Sequence, residues 1–243
     1  MHFKFNLRFN RRIKERQVKQ ISVILLMVTF AATGCKKEIS KNIDQDKIFT
    51  QYELFYDQTE NVTYATATFK FSSNYGTKLM LSDPSTITLD GTEMDWDNEN
   101  GYYQNQFDGF KSTATFHWVD LDGNSFTNTI DIRDIALPAT IENLHFADSV
   151  TYFMWNGSAL DSSENVTLTI DGVGETDRRD FRLDTVGATT FTLDSVQLSQ
   201  IDSGMVQLFL NLRYSPALTE QTSRGGSITG RYQTVTAETL LTD

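Results

Sequence analysis

Cys35 is the only thiol in this 243-residue sequence, and its surroundings single it out for modification. Small side chains precede it in Ala32-Thr33-Gly34-Cys35, and an apolar run occupies 21–32. Ahead of that run stand Lys4, Arg8, Arg11, Arg12, Lys14, Arg16 and Lys19 against a single acid, Glu15. A basic segment, an apolar stretch and then small residues read as a secretory signal. The apolar run falls short of the roughly 20 residues that cross a bilayer, and it lacks the alternation of an amphipathic core helix. Carboxylates form a second candidate chemistry. Asp95, Asp97 and Glu99 crowd one loop, and Asp120, Asp122 and Asn124 another. Oxygen donors at alternate positions can converge on a hard cation such as Ca²⁺; the competing reading is two hairpin tips with solvated side chains. A third is the aromatic cluster Trp96, Tyr102 and Tyr103, which could stack on sugar rings as a glycan platform or pack into a core.

Ala32-Thr33-Gly34-Cys35 resembles the lipobox of bacterial lipoproteins, with Ala where that family usually has Leu. The resemblance implies cleavage between Gly34 and Cys35, a diacylglycerol on the Cys35 sulfur and an acyl chain, such as palmitate, on the new amino group. Several chains at one residue anchor stably, because each buried CH₂ contributes roughly 0.8 kcal/mol. Lys36-Lys37-Glu38 is similar to the short charged signals that send lipoproteins of Bacteroidota-type bacteria to the cell surface. The expected compartment is therefore the outer membrane, with the protein lipid-anchored and exposed at the surface. Asp148-Ser149-Val150, Asp184-Thr185-Val186 and Asp194-Ser195-Val196 resemble the O-glycosylation pattern of exported proteins from such bacteria, which implies modification at Ser149, Thr185 and Ser195.

Enzyme signatures are missing. His117 and His145 are the only histidines after Cys35, no paired-histidine metal spacing occurs, and neither a nucleophile elbow nor a phosphate loop is present. The expectation is a protein that is not an enzyme and carries no cofactor. From Cys35 onward there are 14 basic and 31 acidic residues, a net charge near −17. So acidic an exterior repels nucleic acid. The expected partners are the membrane, through the lipid, and a surface protein complex or a glycan. A glycan-hydrolysing protein and a structural spacer are the competing functions.

The elements that must position these groups are strands. Over 62–71, Ala65, Ala67, Phe69 and Phe71 alternate with Thr66, Thr68 and Lys70, the period of a half-buried strand. Similar segments are expected at 52–56, 79–81, 86–89, 101–107, 113–119, 125–132, 152–155, 206–214 and 226–235. Asp122-Gly123 marks a hairpin, and 133–140, with Pro138, a connector. Glu60-Asn61-Val62-Thr63 recurs as Glu164-Asn165-Val166-Thr167, and segments around it follow in similar order, which suggests a duplication. Short strands with frequent turns predict an all-β chain of two tandem immunoglobulin-like β-sandwich domains, with a single larger sandwich or jelly roll as the alternative. The expected division is a signal peptide over 1–34, a lipidated tether over 35–47, and sandwiches over 48–134 and 135–243. Phe69, Phe71, Phe116, Trp118, Trp155, Leu168, Ile170, Phe191 and Leu208 are the expected core. The texture is also similar to small tandem-sandwich surface lipoproteins of Bacteroidota-type bacteria.

Overall fold

The computed structural model describes residues 38–145, 150–172, 174 and 178–242; Gly34, Cys35 and Ser149 lie outside them. Residues 38–47, expected as a free tether, are docked. β1 (Glu38–Ile39) pairs in parallel with β4 (Lys78–Met80), and two short 3₁₀ turns follow. Hydrogen bonds hold this strap. Gln45 Nε2 donates to the carbonyls of Ser40 (3.0 Å) and Ile43 (2.7 Å), and Ser40 Oγ accepts from Ser82 N (2.9 Å). Buried polar side chains such as Ser40 and Gln45 leave no hydrophobic period, so the sequence pattern is silent here.

Alternation builds the first sandwich. In β2 (Ile48–Asp57) every second residue from Ile48 to Tyr56 is buried, and β3 (Val62–Phe71) returns antiparallel beside it. The turn between them uses Asn61 at φ 54°, a conformation that Asn tolerates. β4 borders one end of β3. β8 (Tyr102–Asp108), followed outward by β7 (Asp95–Asp97), borders the rest. The facing layer is β10 (Ser125–Asp131), β9 (Thr113–Val119), β5 (Thr86–Leu89) and β6 (Thr92–Glu93), in that order. Aromatic contacts join the layers: Tyr52 stacks on Phe116 with centroids 4.8 Å apart, and Phe69 meets Trp118 at 5.0 Å. Each such buried side chain contributes roughly 1.5–3 kcal/mol.

The second sandwich has β13 (Glu164–Asp171) between β14 (Arg178–Leu183) and β16 (Gly204–Tyr214). β18 (Ala237–Thr242) pairs with the start of β16, and β11 (Leu144–His145) lies outside it. Its cover is a two-stranded sheet of β12 (Val150–Met154) and β15 (Thr190–Asp194), followed by a helical turn, α1 (Ser195–Leu198). The chain thus has the all-β sandwich architecture expected of it.

The two sandwiches are sewn together. β17 (Gly226–Gln233) pairs antiparallel with Asn211–Tyr214 of β16 and in parallel with β2 from Gly226↔Thr50 to Gln233↔Asp57. One 12-stranded sheet therefore runs through both halves, and residues 38–243 group as a compact unit. The expected division at 134/135 assigns β17 to the second half, yet its backbone completes the first sheet. Two glycines make the insertion sterically feasible: a Cβ on Gly230 would lie 2.1 Å from Ile132 Cγ2, and one on Gly226 2.5 Å from the Thr50 carbonyl oxygen. The preceding loop is clamped to the first sandwich. Asn128 Oδ1 accepts from the amides of Thr219 (2.9 Å) and Glu220 (3.1 Å), and Thr222 Oγ1 donates to Ile48 O (2.7 Å).

Other expectations also shift. Every expected core residue is buried except Phe71, which is 43% exposed because the chain turns out of the sheet there, with Ser72 at φ 68°. The suggested duplication is not matched in topology: β2 and β3 are neighbours in one sheet, whereas β12 and β13 lie in different sheets.

Candidate functional site

The carboxylates that could converge on a cation are occupied by their own turns, as in the competing reading of two hairpin tips. Asp97 Oδ1 accepts from the amides of Glu99 (2.8 Å) and Asn100 (3.0 Å), and Oδ2 accepts from Asn100 Nδ2 (2.8 Å). Asp120, only 2% exposed, repeats the pattern: Oδ1 accepts from the amides of Asp122 (2.9 Å) and Asn124 (2.8 Å), and Oδ2 from Asn124 Nδ2 (2.9 Å). These are turn-closing Asx contacts. Among the described residues no group of three or more His, Cys, Asp or Glu side chains is placed to hold a metal ion. Asp95, Asp97, Glu99, Asp120, Asp122 and Asn124 are therefore not assembled into a Ca²⁺ site.

Nor do the three expected aromatics form a platform. Trp96 and Tyr103 are cross-strand partners with centroids 4.9 Å apart, and Tyr103 turns inward against Phe69 at 5.9 Å. The Tyr103 hydroxyl accepts from Leu81 N at 2.9 Å, and burial holds its pKa above the ordinary value. Tyr102 points to the other face, beneath Lys78 Nζ at 5.7 Å. Strand parity separates the adjacent tyrosines. Of the expected glycosylation positions, Thr185 is exposed in a turn, and Ser195 is the first residue of α1. There Asp194 accepts from Val196 N at 2.6 Å as the helix cap, so the Asp-Ser-Val spelling has a structural use. His117 and His145 serve different strand pairs, with Nδ1 bonded to Thr127 Oγ1 (3.0 Å) and to Thr242 Oγ1 (2.7 Å) respectively.

What the sheet does assemble is an outer face. Register aligns Gln106, Tyr64, Phe55, Arg231 and Arg213 as one row across β8, β3, β2, β17 and β16. Phe55 and Tyr64 lie nearly parallel (22°) with centroids 6.2 Å apart. The Arg231 guanidinium sits 4.3 Å from the Phe55 centroid and reaches Glu53 Oε1 at 3.3 Å. Arg213 donates to Ser215 Oγ (3.2 Å) and Thr229 Oγ1 (3.3 Å). The Tyr64 hydroxyl donates to Glu60, a bond that holds the phenol pKa up. Gln51, Gln104, Gln233 and Asn211 surround the row with amides. With Arg231 lying over the Phe55 face and Tyr64 beside it, the pair offers ring edges, and the row as a whole offers guanidinium, amide and hydroxyl hydrogen-bonding groups, to a polar ligand. Sequence reasoning missed this row although a signal existed. Phe55 and Tyr64 occupy the solvent-facing phase of strands whose other phase is apolar, where Thr, Gln and Lys are the rule.

No protein-family model matches the sequence, and no curated protein matches it. Solved structures that match include the chicken CNTN1 FN1–FN3 domains, at 10% identity over 78% of this chain with a TM-score of 0.26. A Salmonella alpha-2-macroglobulin mutant matches at 15% identity over 80% with a TM-score of 0.22. A 1.5-MDa bacterial ice-binding adhesin matches at 11% over 80% with a TM-score of 0.21. The chain spans 65%, 14% and 64% of those chains, less than two thirds of each. Scores this low carry no assignment, and the sandwich architecture rests on the strand pairing itself.

Proposed function

We propose that the chain is a non-catalytic lipoprotein of the outer membrane, held at the cell surface by acyl groups on Cys35, and that its β body is a binding module. The observation that carries this reading is the order of the sequence: a basic segment, the apolar run over 21–32, Ala32-Thr33-Gly34-Cys35, and then a β body that, among the described residues, pairs from Glu38 onward. Among the described residues no helix is long and apolar enough to cross a membrane. Metabolic labelling with an alkyne palmitate, followed by membrane fractionation, tests the anchor. Cys35→Ser is expected to abolish the label and release the protein from the membrane pellet; a variant that stays in the pellet overturns the reading.

The row of Gln106, Tyr64, Phe55, Arg231 and Arg213 favours a glycan as the bound partner, because ring edges flanked by several hydrogen-bond donors suit a hydroxyl-rich ligand. A glycan array probed with the native protein and with Phe55→Ala/Tyr64→Ala tests this. Binding lost in the variant supports the glycan, and binding retained removes the row from consideration. A protein that serves only as a spacer would show no array signal and would tolerate Arg213→Glu/Arg231→Glu in the cell.

A further inference from the structure

We propose that the loop over residues 72–77 at one end of the first sandwich rests on the bilayer that holds the acylated Cys35, with Tyr75 and Phe71 as its interfacial side chains. The inference depends on the anchored reading above. β1 lies parallel to β4 in the register Glu38↔Leu79, Ile39↔Met80. The strap therefore joins the sheet at the end where β3 stops and β4 starts. Whatever path residues 35–37 take, the three steps from Cys35 to Glu38 reach at most about 11 Å. An anchor at Cys35 keeps this end of the sheet near the lipid surface.

The same end displays Tyr75, which is 96% exposed, beside the half-exposed Phe71. The loop that carries them is pinned. Ser72 N donates to Lys47 O (2.7 Å), Phe71 N to Thr77 O (2.9 Å) and Gly76 N to Ser73 O (2.9 Å), and Lys70 Nζ donates to Asn74 O (2.8 Å). A Cβ on Gly76 would lie 1.8 Å from the Phe71 carbonyl oxygen, so the tight turn demands glycine. A rigid tip that holds a tyrosine fully in water has no packing use for it. A ring with a polar edge is suited to the headgroup boundary of a bilayer. The opposite end, with the β2–β3 turn, stands about 30 Å away along ten-residue strands.

The test places an environment-sensitive fluorophore on Ser73→Cys or on Thr59→Cys in the lipidated protein, reconstituted into phosphatidylcholine vesicles with brominated acyl chains. Ser73 and Thr59 are both exposed, one at each end of the sheet. Quenching at position 73 is expected to exceed that at 59 several-fold, and Tyr75→Asp in the Ser73→Cys background is expected to reduce it. Vesicle-bound protein quenched equally at both positions, or more at 59, overturns the inference and leaves the anchor intact. Protein that carries no acyl label and does not bind the vesicles overturns both.

Discussion

The two sandwiches solve the same burial problem with different means. In the first, four strands cover the inner face of the sheet, and the core is a chain of rings: Tyr52 on Phe116, Phe69 on Trp118, and Trp118 stacked on Phe126 at 4.8 Å. In the second, two strands and one helical turn do the covering. The outer side of β12 presents Val150, Tyr152 and Met154 to solvent. The first sandwich also borrows β17 from the C-terminal part of the chain, while the second keeps β16 and β18 on either side of that excursion. The halves are therefore unequal partners. The first is thick and aromatic, and the second is thin and leans on the shared sheet. Cooperativity between them is expected to pass through β17.

The largest effect should come from the thick core. Trp118 is fully buried, and Trp118→Ala is expected to cost about 3–5 kcal/mol, a large part of the roughly 5–15 kcal/mol by which a domain is stable. Phe191→Ala in the thinner half should fall at or below the low end of that range. Urea unfolding followed by circular dichroism measures both, and a Phe191 variant that loses more than the Trp118 variant would reverse the ranking of the two halves.

The next effect lies at their junction. Arg133, just after the first sandwich, grips Glu164 at the start of β13 through Nε–Oε1 (2.9 Å) and Nη2–Oε2 (2.7 Å), and the Glu164 side chain is only 7% exposed. Arg133→Met leaves that carboxylate buried without its cation and should cost about 3 kcal/mol. The double variant Arg133→Met/Glu164→Leu should recover most of the loss. If the single variant unfolds like the wild type, the pair is no clamp between the halves.

A smaller change tests the shared strand itself. Gly230→Ala drives a methyl against Ile132 and should cost about 1–3 kcal/mol. Gly230→Ala/Ile132→Ala should cost less than the sum of its parts, because the second substitution empties the space the first one needs. The reporters are built in: Trp118 lies in the first core and Trp155 in the second. In the wild type their fluorescence transitions are expected to coincide, and in Gly230→Ala to move apart. Separate transitions in the wild type would mean that β17 does not couple the halves.

The extent to which this was legible in the sequence follows from how each element is stabilised. Strands with one apolar phase, such as β3 and β9, announce themselves, and so does the Asp122-Gly123 turn. β14, with Arg178, Arg179, Asp180 and Arg182 around a single buried Phe181, carries too little period to read. The strap over 38–47 is held by amide and hydroxyl contacts that have no spacing rule. The parallel pairing of β17 with β2 joins residues about 176 positions apart, and nothing local specifies it. The outer-face row is legible only in part: Tyr64 and Phe55 can be phased from their own strands, but their alignment with Arg231 and Arg213 is a product of register between distant segments. The acidic loops were readable as acids but not as turns that bond their own carboxylates.

The smallest effect concerns acid. Asp90 of the first sandwich sits at φ 49°, where its carboxylate meets Lys111 Nζ at 2.8 Å and Thr115 N at 2.8 Å. Partial burial pushes its pKa up, but the bonds from Lys111 and Thr115 outweigh that and hold it below the ordinary value. A carboxyl whose pKa is depressed by folding contributes stability that is fully present above the unfolded pKa of about 3.9 and is lost as pH falls through the lower folded value. The pair is more than a third exposed on the Asp90 side, so solvent screening keeps the effect below about 1 kcal/mol. Asp90→Asn should lower the urea midpoint slightly at pH 7 and leave it nearly unchanged once the pH has fallen below the depressed folded pKa, where the wild-type carboxyl is itself protonated. The change should register through Trp118 in the same transition as Trp155. An equal loss at both pH values would mean that the Asp90 side chain acts through its turn geometry, with the charge playing no part.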